Sequence, residues 1–174
     1  MMRLNDGRPF PETRFFTDDA KMIADMLRDN WSLPPELTPV ISEKRESIMV
    51  DARSGYVDVY KVSNYTSTSS TDYRTLQRTS FLDITFSGRS RPMQYAYMEE
   101  IYRILYAYRR VGPEILNGYT WLEITNDRID NESNGWYSGM ISLKLMSYCY
   151  PIRSPGFGDK INSRLESNDL SQDY

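Results

Sequence analysis

The stretch Arg78-Thr79-Ser80-Phe81-Leu82-Asp83-Ile84-Thr85-Phe86, followed closely by Ser90-Arg91-Pro92, decides the fold. Successive side chains on a strand point to opposite faces, so Leu82, Ile84 and Phe86 share one apolar face. The period then changes. Met93, Tyr97, Ile101, Ile104, Leu105 and Tyr108 recur at steps of three and four, the spacing of one helix face, with Glu99, Arg103, Arg109 and Arg110 opposite. Pro92 is tolerated in the first turn, and Val111-Gly112-Pro113 ends the run. A strand with one apolar face followed by an amphipathic helix requires a helix laid on a sheet.

Working outward, Tyr56-Val57-Asp58-Val59-Tyr60-Lys61-Val62 alternates as a second strand, with Val57, Val59 and Lys61 on one side. Ser63 to Asp72 carries no buried-type period and reads as an exposed loop at the tip of a long hairpin. Ser47-Ile48-Met49-Val50 is a further short apolar run, reached by a connector that includes Pro39. Thr17-Asp18-Asp19-Ala20 starts an earlier helix, with Thr17 as the capping hydroxyl and two acids in the positive first turn. Ile23, Met26, Leu27 and Trp31 give it a packing face, and Ser32-Leu33-Pro34-Pro35 stops it.

Downstream, Tyr119 to Thr125 and Trp136 to Tyr150 read as two more strands, joined by the turn-rich linker Asn126–Gly135. Ile141, Leu143 and Leu145 share a face in the last of them. The expected class is α+β: an antiparallel or mixed sheet with two helices on one face. Residues 17–151 form the core domain, 1–16 an extended N-terminal arm, and 152–174 a C-terminal tail with Pro155, Gly156 and Gly158.

The 174 residues suit one domain of the usual size, about 100–200 residues, and suffice for a core without staples. A formal net charge of −3 gives no overall field to hold a polyanion. Cys149 is the single cysteine, so no intramolecular disulfide can form, and there is no His. That removes the commonest general base and metal ligand together. No apolar run in MMRLNDGRPFPETRFF resembles a signal peptide, and no stretch approaches the roughly 18 apolar residues of a membrane span, so folding in a reducing cytoplasm is expected. Aromatic residues reach 13%, with 14 Tyr. Tyr suits strands, and it also suits surfaces that pack on one side and stay wet on the other; both readings stand.

The chemistry-bearing patterns are thin. Gly156-Phe157-Gly158 follows a proline and opens no clear helix, so it reads as a turn rather than a dinucleotide loop. No Ser-x-x-Lys occurs, which leaves serine without a base. Asp127, Asp130 and Glu132 lie close in sequence but lack the alternation and closing Glu of a calcium loop, and Arg128 stands among them. Glu99 and Glu100 read as a wet helix face. Arg89, Arg91, Arg103, Arg109 and Arg110 suggest pairing with carboxylates, within the protein or across a subunit boundary, over phosphate contacts. No catalytic residue, cofactor or metal ligand is expected.

The order strand (RTSFLDITF), long helix from Pro92 to Arg110, Trp-bearing strand (YTWLEIT), turn-rich loop and final strand (GWYSGMISLKLMSYCYP) resembles the tail terminator and tail completion proteins of long-tailed bacteriophages. The resemblance covers some 130 residues as architecture. It implies a non-enzymatic structural protein of the virion neck, assembled in the host cytoplasm. Its copies would form a ring, hexameric by the family's pattern, that caps the tail tube, stops its elongation and joins it to the head connector. The implied partners are copies of itself, the tail tube protein and the head–tail connector proteins, with no membrane and no sequence-specific nucleic acid. Exposed-type composition marks Tyr65, Thr66, Ser67 and Thr68 at the hairpin tip, and Phe157, Leu165, Leu170 and Tyr174 in the tail, as candidate interface residues. The alternatives are another head–tail connector or neck adaptor, or a cellular binding module or small enzyme on a similar scaffold.

Overall fold

A computed structural model describes residues 18–43, 55–68, 76–108 and 121–149. The elements are α1 (Asp19–Asn30), β1 (Val40–Ser42), β2 (Tyr56–Thr68), β3 (Leu76–Gly88), α2 (Arg91–Ala107), β4 (Trp121–Ile129) and β5 (Tyr137–Cys149), with a single 3-10 turn at Pro35–Leu37. The five strands form one mixed sheet in the order β1-β2-β3-β5-β4. β1 runs parallel to β2, and the other three pairings are antiparallel.

The apolar faces read from the sequence meet in one layer. Val57 stands beside Phe86 and Val59 beside Ile84, while Ile84 faces Ile141, Leu82 faces Leu143, and Leu122 faces Leu145. All are buried, and Ile23, Ala24 and Leu27 of α1 with Tyr97, Ile101, Ile104 and Leu105 of α2 close over them as one core. Burial of this kind, about 25 cal/mol per Å² of apolar surface, is the main force holding helices to sheet. Gly139 allows a close approach: a methyl group there would collide with the Phe86 ring.

Several boundaries differ from the sequence reading. The α1 cap is Asp18, whose carboxylate accepts from the Lys21 N–H at 3.1 Å; Thr17 lies outside the described residues. The strand beside β2 is Val40–Ser42, within the expected connector, and Ser47–Val50 lies outside the described residues. Arg28 of α1 fixes β1, donating to the Ile41 carbonyl at 2.8 Å and to Glu43. β2 continues through Ser63–Thr68, and β4 continues to Ile129. Both extensions follow a bulge, between Lys61 and Ser63 and between Ile124 and Asn126. A bulge resets the alternation, and beyond it both faces are exposed, so no apolar period marks the strand.

Glu100 is also corrected. Glu99 is exposed, but Glu100 is only 5% exposed and clamps the two helices together. Its carboxylate accepts from the Ser32 N–H (2.6 Å), the Ser32 hydroxyl (2.9 Å) and the Arg103 guanidinium (2.8 and 2.9 Å). Arg103 also donates to the Asn30 carbonyl at 2.7 Å, and the Tyr108 hydroxyl to the Asn30 side chain at 2.9 Å. The last carbonyl of α1 is thereby satisfied from α2. Trp31 packs edge-on to the buried Tyr97, 5.6 Å between centroids.

The Arg103 hydrogen bond, with help from Ser32 and against the cost of burial, holds the Glu100 carboxyl down at about 2. A depressed carboxyl contributes stability that is complete above its unfolded value, near 4.5, and is lost as pH falls from there through about 2. Glu100→Gln should therefore lower stability at neutral pH by about 2–3 kcal/mol and flatten the pH dependence between 4.5 and 2, measured by urea unfolding across pH. An unchanged acid limb in the variant would contradict the clamp.

Candidate functional site

The upper half of the β2–β3 hairpin is exposed along β2. From Lys61 to Thr68 every residue of β2 is exposed, including Tyr65 at 52%. Its partner segment on β3 is not: Arg78, Thr79 and Ser80 are buried, because β5 pairs with the other side of β3 as far as Leu76–Cys149. The extension is therefore a laddered ribbon braced on one side, with β2 outermost. Tyr65 lies against Phe81, 6.2 Å between ring centroids.

A buried ion pair anchors this ribbon. Counting back from Leu82 by twos places Ser80 and Arg78 on the core face, so the Arg78 side chain enters the protein. Arg78 and Asp19 are 2% and 1% exposed, and the guanidinium donates to the Asp19 carboxylate. Lys61 adds a second cation at 3.2 Å. Asp19 is also the first residue of α1, where the helix dipole favours a negative charge. One carboxylate thus ties the N-terminus of α1 to both strands, through Lys61 where the extension begins and through Arg78, which pairs with Thr66 further out. The sequence reading missed this pair; the signal available was a charge on the core-facing register of β3.

At the opposite end of the sheet, arginines stack on aromatics. Arg89 lies over the Trp136 ring at 3.5 Å, Tyr56 meets the same ring edge-on at 5.5 Å, and Arg91 lies 5.1 Å from the Tyr137 ring centroid. Ser133 and Trp136 exchange backbone hydrogen bonds around Asn134 and Gly135, whose φ values of 54° and 76° suit a two-residue hairpin turn. The buried Gln94 amide donates to the Asp130 and Ser138 carbonyls, joining this turn to the start of α2. Of the arginines expected to find carboxylates, Arg103 does, through Glu100. Arg89 and Arg91 instead use aromatic rings, and Arg109 and Arg110 lie outside the described residues.

The three acids near the linker are held apart. Asp127 accepts from the Tyr102 hydroxyl at 2.8 Å, Asp130 faces Arg128 at 3.4 Å, and Glu132 caps the Gly135 N–H at 2.7 Å. Burial, then the Asp127 hydrogen bond, push the Tyr102 phenol up to about 12. Among the described residues no group of three or more His, Cys, Asp or Glu gathers as a metal cage. A groove of about 100 Å³ lies between α2 and β4, lined by Leu105, Tyr106, Glu123 and Ile124. No helix among the described residues is long and apolar enough to cross a membrane.

Of the candidate interface residues, Tyr65, Thr66, Ser67 and Thr68 are brought together as the exposed end of β2 rather than as a loop. Phe157, Leu165, Leu170 and Tyr174, with the two expected arms, lie outside the described residues. No protein-family model matches the chain, and no curated protein shows significant similarity to it.

Removing Asp19 leaves a guanidinium buried without its carboxylate, whereas Lys61 is one-third exposed and can turn to water. Asp19→Ala should cost about 3–5 kcal/mol. Lys61→Met should cost about 1 kcal/mol or less. Urea midpoints compared at constant slope decide between them, and equal shifts would contradict Asp19 as the anchor.

Proposed function

We propose that the protein is a structural subunit of a virion neck, a tail terminator whose copies form a ring that caps the tail tube and receives the head connector. The observation that carries this reading is the run Lys61–Thr68: eight consecutive exposed residues on the outer strand of the hairpin. A monomer with no partner gains nothing from ordering such a ribbon, and a subunit that must grip neighbours does. The buried Asp19–Arg78 pair supports the same reading, because a costly charge burial fixes the ribbon to the start of α1. The element order of helix, hairpin, helix and two strands also fits the architecture that the sequence resembles.

Termination follows from geometry alone in this account. A head-to-tail interface closes when the rotation between copies returns to the start, and a closed ring offers its next layer a different face from the tube below it. No bond is made or broken, so the protein needs no base, nucleophile or metal. Preformed edges favour rapid docking, since little chain must be ordered on contact.

Polymerising tail-tube subunits of the same virus with and without the protein tests this directly. The expected result, by negative-stain electron microscopy, is shorter tubes carrying the protein at one end. Tubes of unchanged length with no protein at their ends would overturn the assignment, and protein found only on isolated head connectors would transfer it to a connector role.

A further inference from the structure

The two edge strands are open on complementary parts of the sheet. β1 covers β2 only at Tyr56–Asp58, so among the described residues nothing pairs with the outer edge of Val62–Thr68. Among the described residues β4 pairs only with β5, and its last residues, Thr125–Ile129, are all exposed. The free part of β2 lies at the end of the sheet where Leu76 pairs with Cys149. The free part of β4 lies towards the other end, where Ile129 pairs with Gly139. The register places β2 and β4 on opposite edges and in opposite directions, so translating one copy sideways sets β2 of one against β4 of the next as an antiparallel pair.

We propose that this pairing, Ser63–Thr68 of one copy with Asn126–Ile129 of the next, is the contact between copies of this chain; it rests on the ring reading above and specifies its interface. Natural sheets protect exposed edges with charges or proline. The sequence Val62-Ser63-Asn64-Tyr65-Thr66-Ser67-Thr68 carries neither. A bulge precedes the free segment on each strand and marks where the apolar alternation of the body ends. The occupant is a second copy because the chain itself supplies both halves, in the direction that three of its four internal pairings already use.

The offset between the two free segments also suits closure. Matching their centres slides neighbouring copies by roughly six residues along the strands, about 20 Å. Spread over four strands at ~4.8 Å spacing, this tilts them by about 45° from the axis, near the 35–45° of closed sheets. The stagger of the edge contact thus matches the one a closed ring requires. The groove formed by Leu105, Tyr106, Glu123 and Ile124 lies beside β4, on the helix-covered side of the sheet. Of the core-side residues of the incoming strand, Thr68 lies nearest to it in this register.

Cysteine pairing tests the contact in the full-length chain, with Cys149→Ser as background. Ser67→Cys and Asn126→Cys lie on the same, helix-free side of the continuous sheet. Oxidation of an equal mixture of the two single variants, alone and with tail-tube subunits, should give a covalent dimer that neither variant gives by itself. The double variant should give a ladder of multimers. Ser63→Lys with Ser67→Lys, both at exposed positions, should lower the multimer fraction at least tenfold by light scattering while leaving the circular dichroism spectrum unchanged. Dimers from Ser67→Cys alone would replace the proposal with a two-fold β2–β2 contact. Multimers that form without these cross-links overturn the edge pairing and leave the ring reading intact. Cross-linked multimers that fail to cap tubes keep the pairing and sink the terminator role. A chain that stays monomeric in every mixture overturns the pairing outright.

Discussion

Arg78 stands where the alternation of β3 calls for an apolar side chain, and its burial against Asp19 organises the molecule around it. A buried guanidinium is tolerated when a carboxylate meets it, and among the described residues the first residue of α1 does so. The start of that helix cannot drift without stranding a charge. Lys61 places β2 under the same restraint. Among the described residues of the hairpin β2 is exposed from Lys61 to Thr68, so the order of this stretch derives from this anchor and from the ladder that β3 shares with β5.

The rest of the core is divided into an apolar layer and a polar seam. Apolar burial sets how α1 and α2 lie on the sheet, and it is indifferent to small slides. Glu100 removes that freedom, since its acceptors need the Ser32 N–H and the Arg103 fork in one arrangement. Aromatic stacking of Arg89 and Arg91 does comparable work at the other end, holding the β4–β5 turn beside the start of α2. The body is thus fixed at three places. What extends from it is mostly strand edge.

The layered core was legible because burial leaves a period. Leu82, Ile84 and Phe86, the stripe from Met93 to Tyr108, and Ile141, Leu143 and Leu145 all face where their spacing placed them. The missing pieces were those where period gives no guidance. Ser63–Thr68 and Asn126–Ile129 are strands by hydrogen bonding, yet each follows a bulge and is exposed on both faces, so polar composition read as loop. β1 is three residues held by a parallel pairing and by Arg28, too short for any period. Glu100 read as a wet face because its neighbour Glu99 is one, and only the packing of α1 across it makes the difference. Tyr65 to Thr68 were singled out for exposure, which the fold bears out; what they contact is a question of assembly.

In this account the working surface is the free edge of β2, stiff before it meets a partner. Amide hydrogen exchange in the isolated subunit and in the assembled particle tests that most directly. The amides of Ser63 to Thr68 that point away from β3 should exchange freely in the subunit and become protected on assembly, together with those of Asn126 to Ile129. Protection that appears elsewhere while both edges go on exchanging freely in the particle would contradict it.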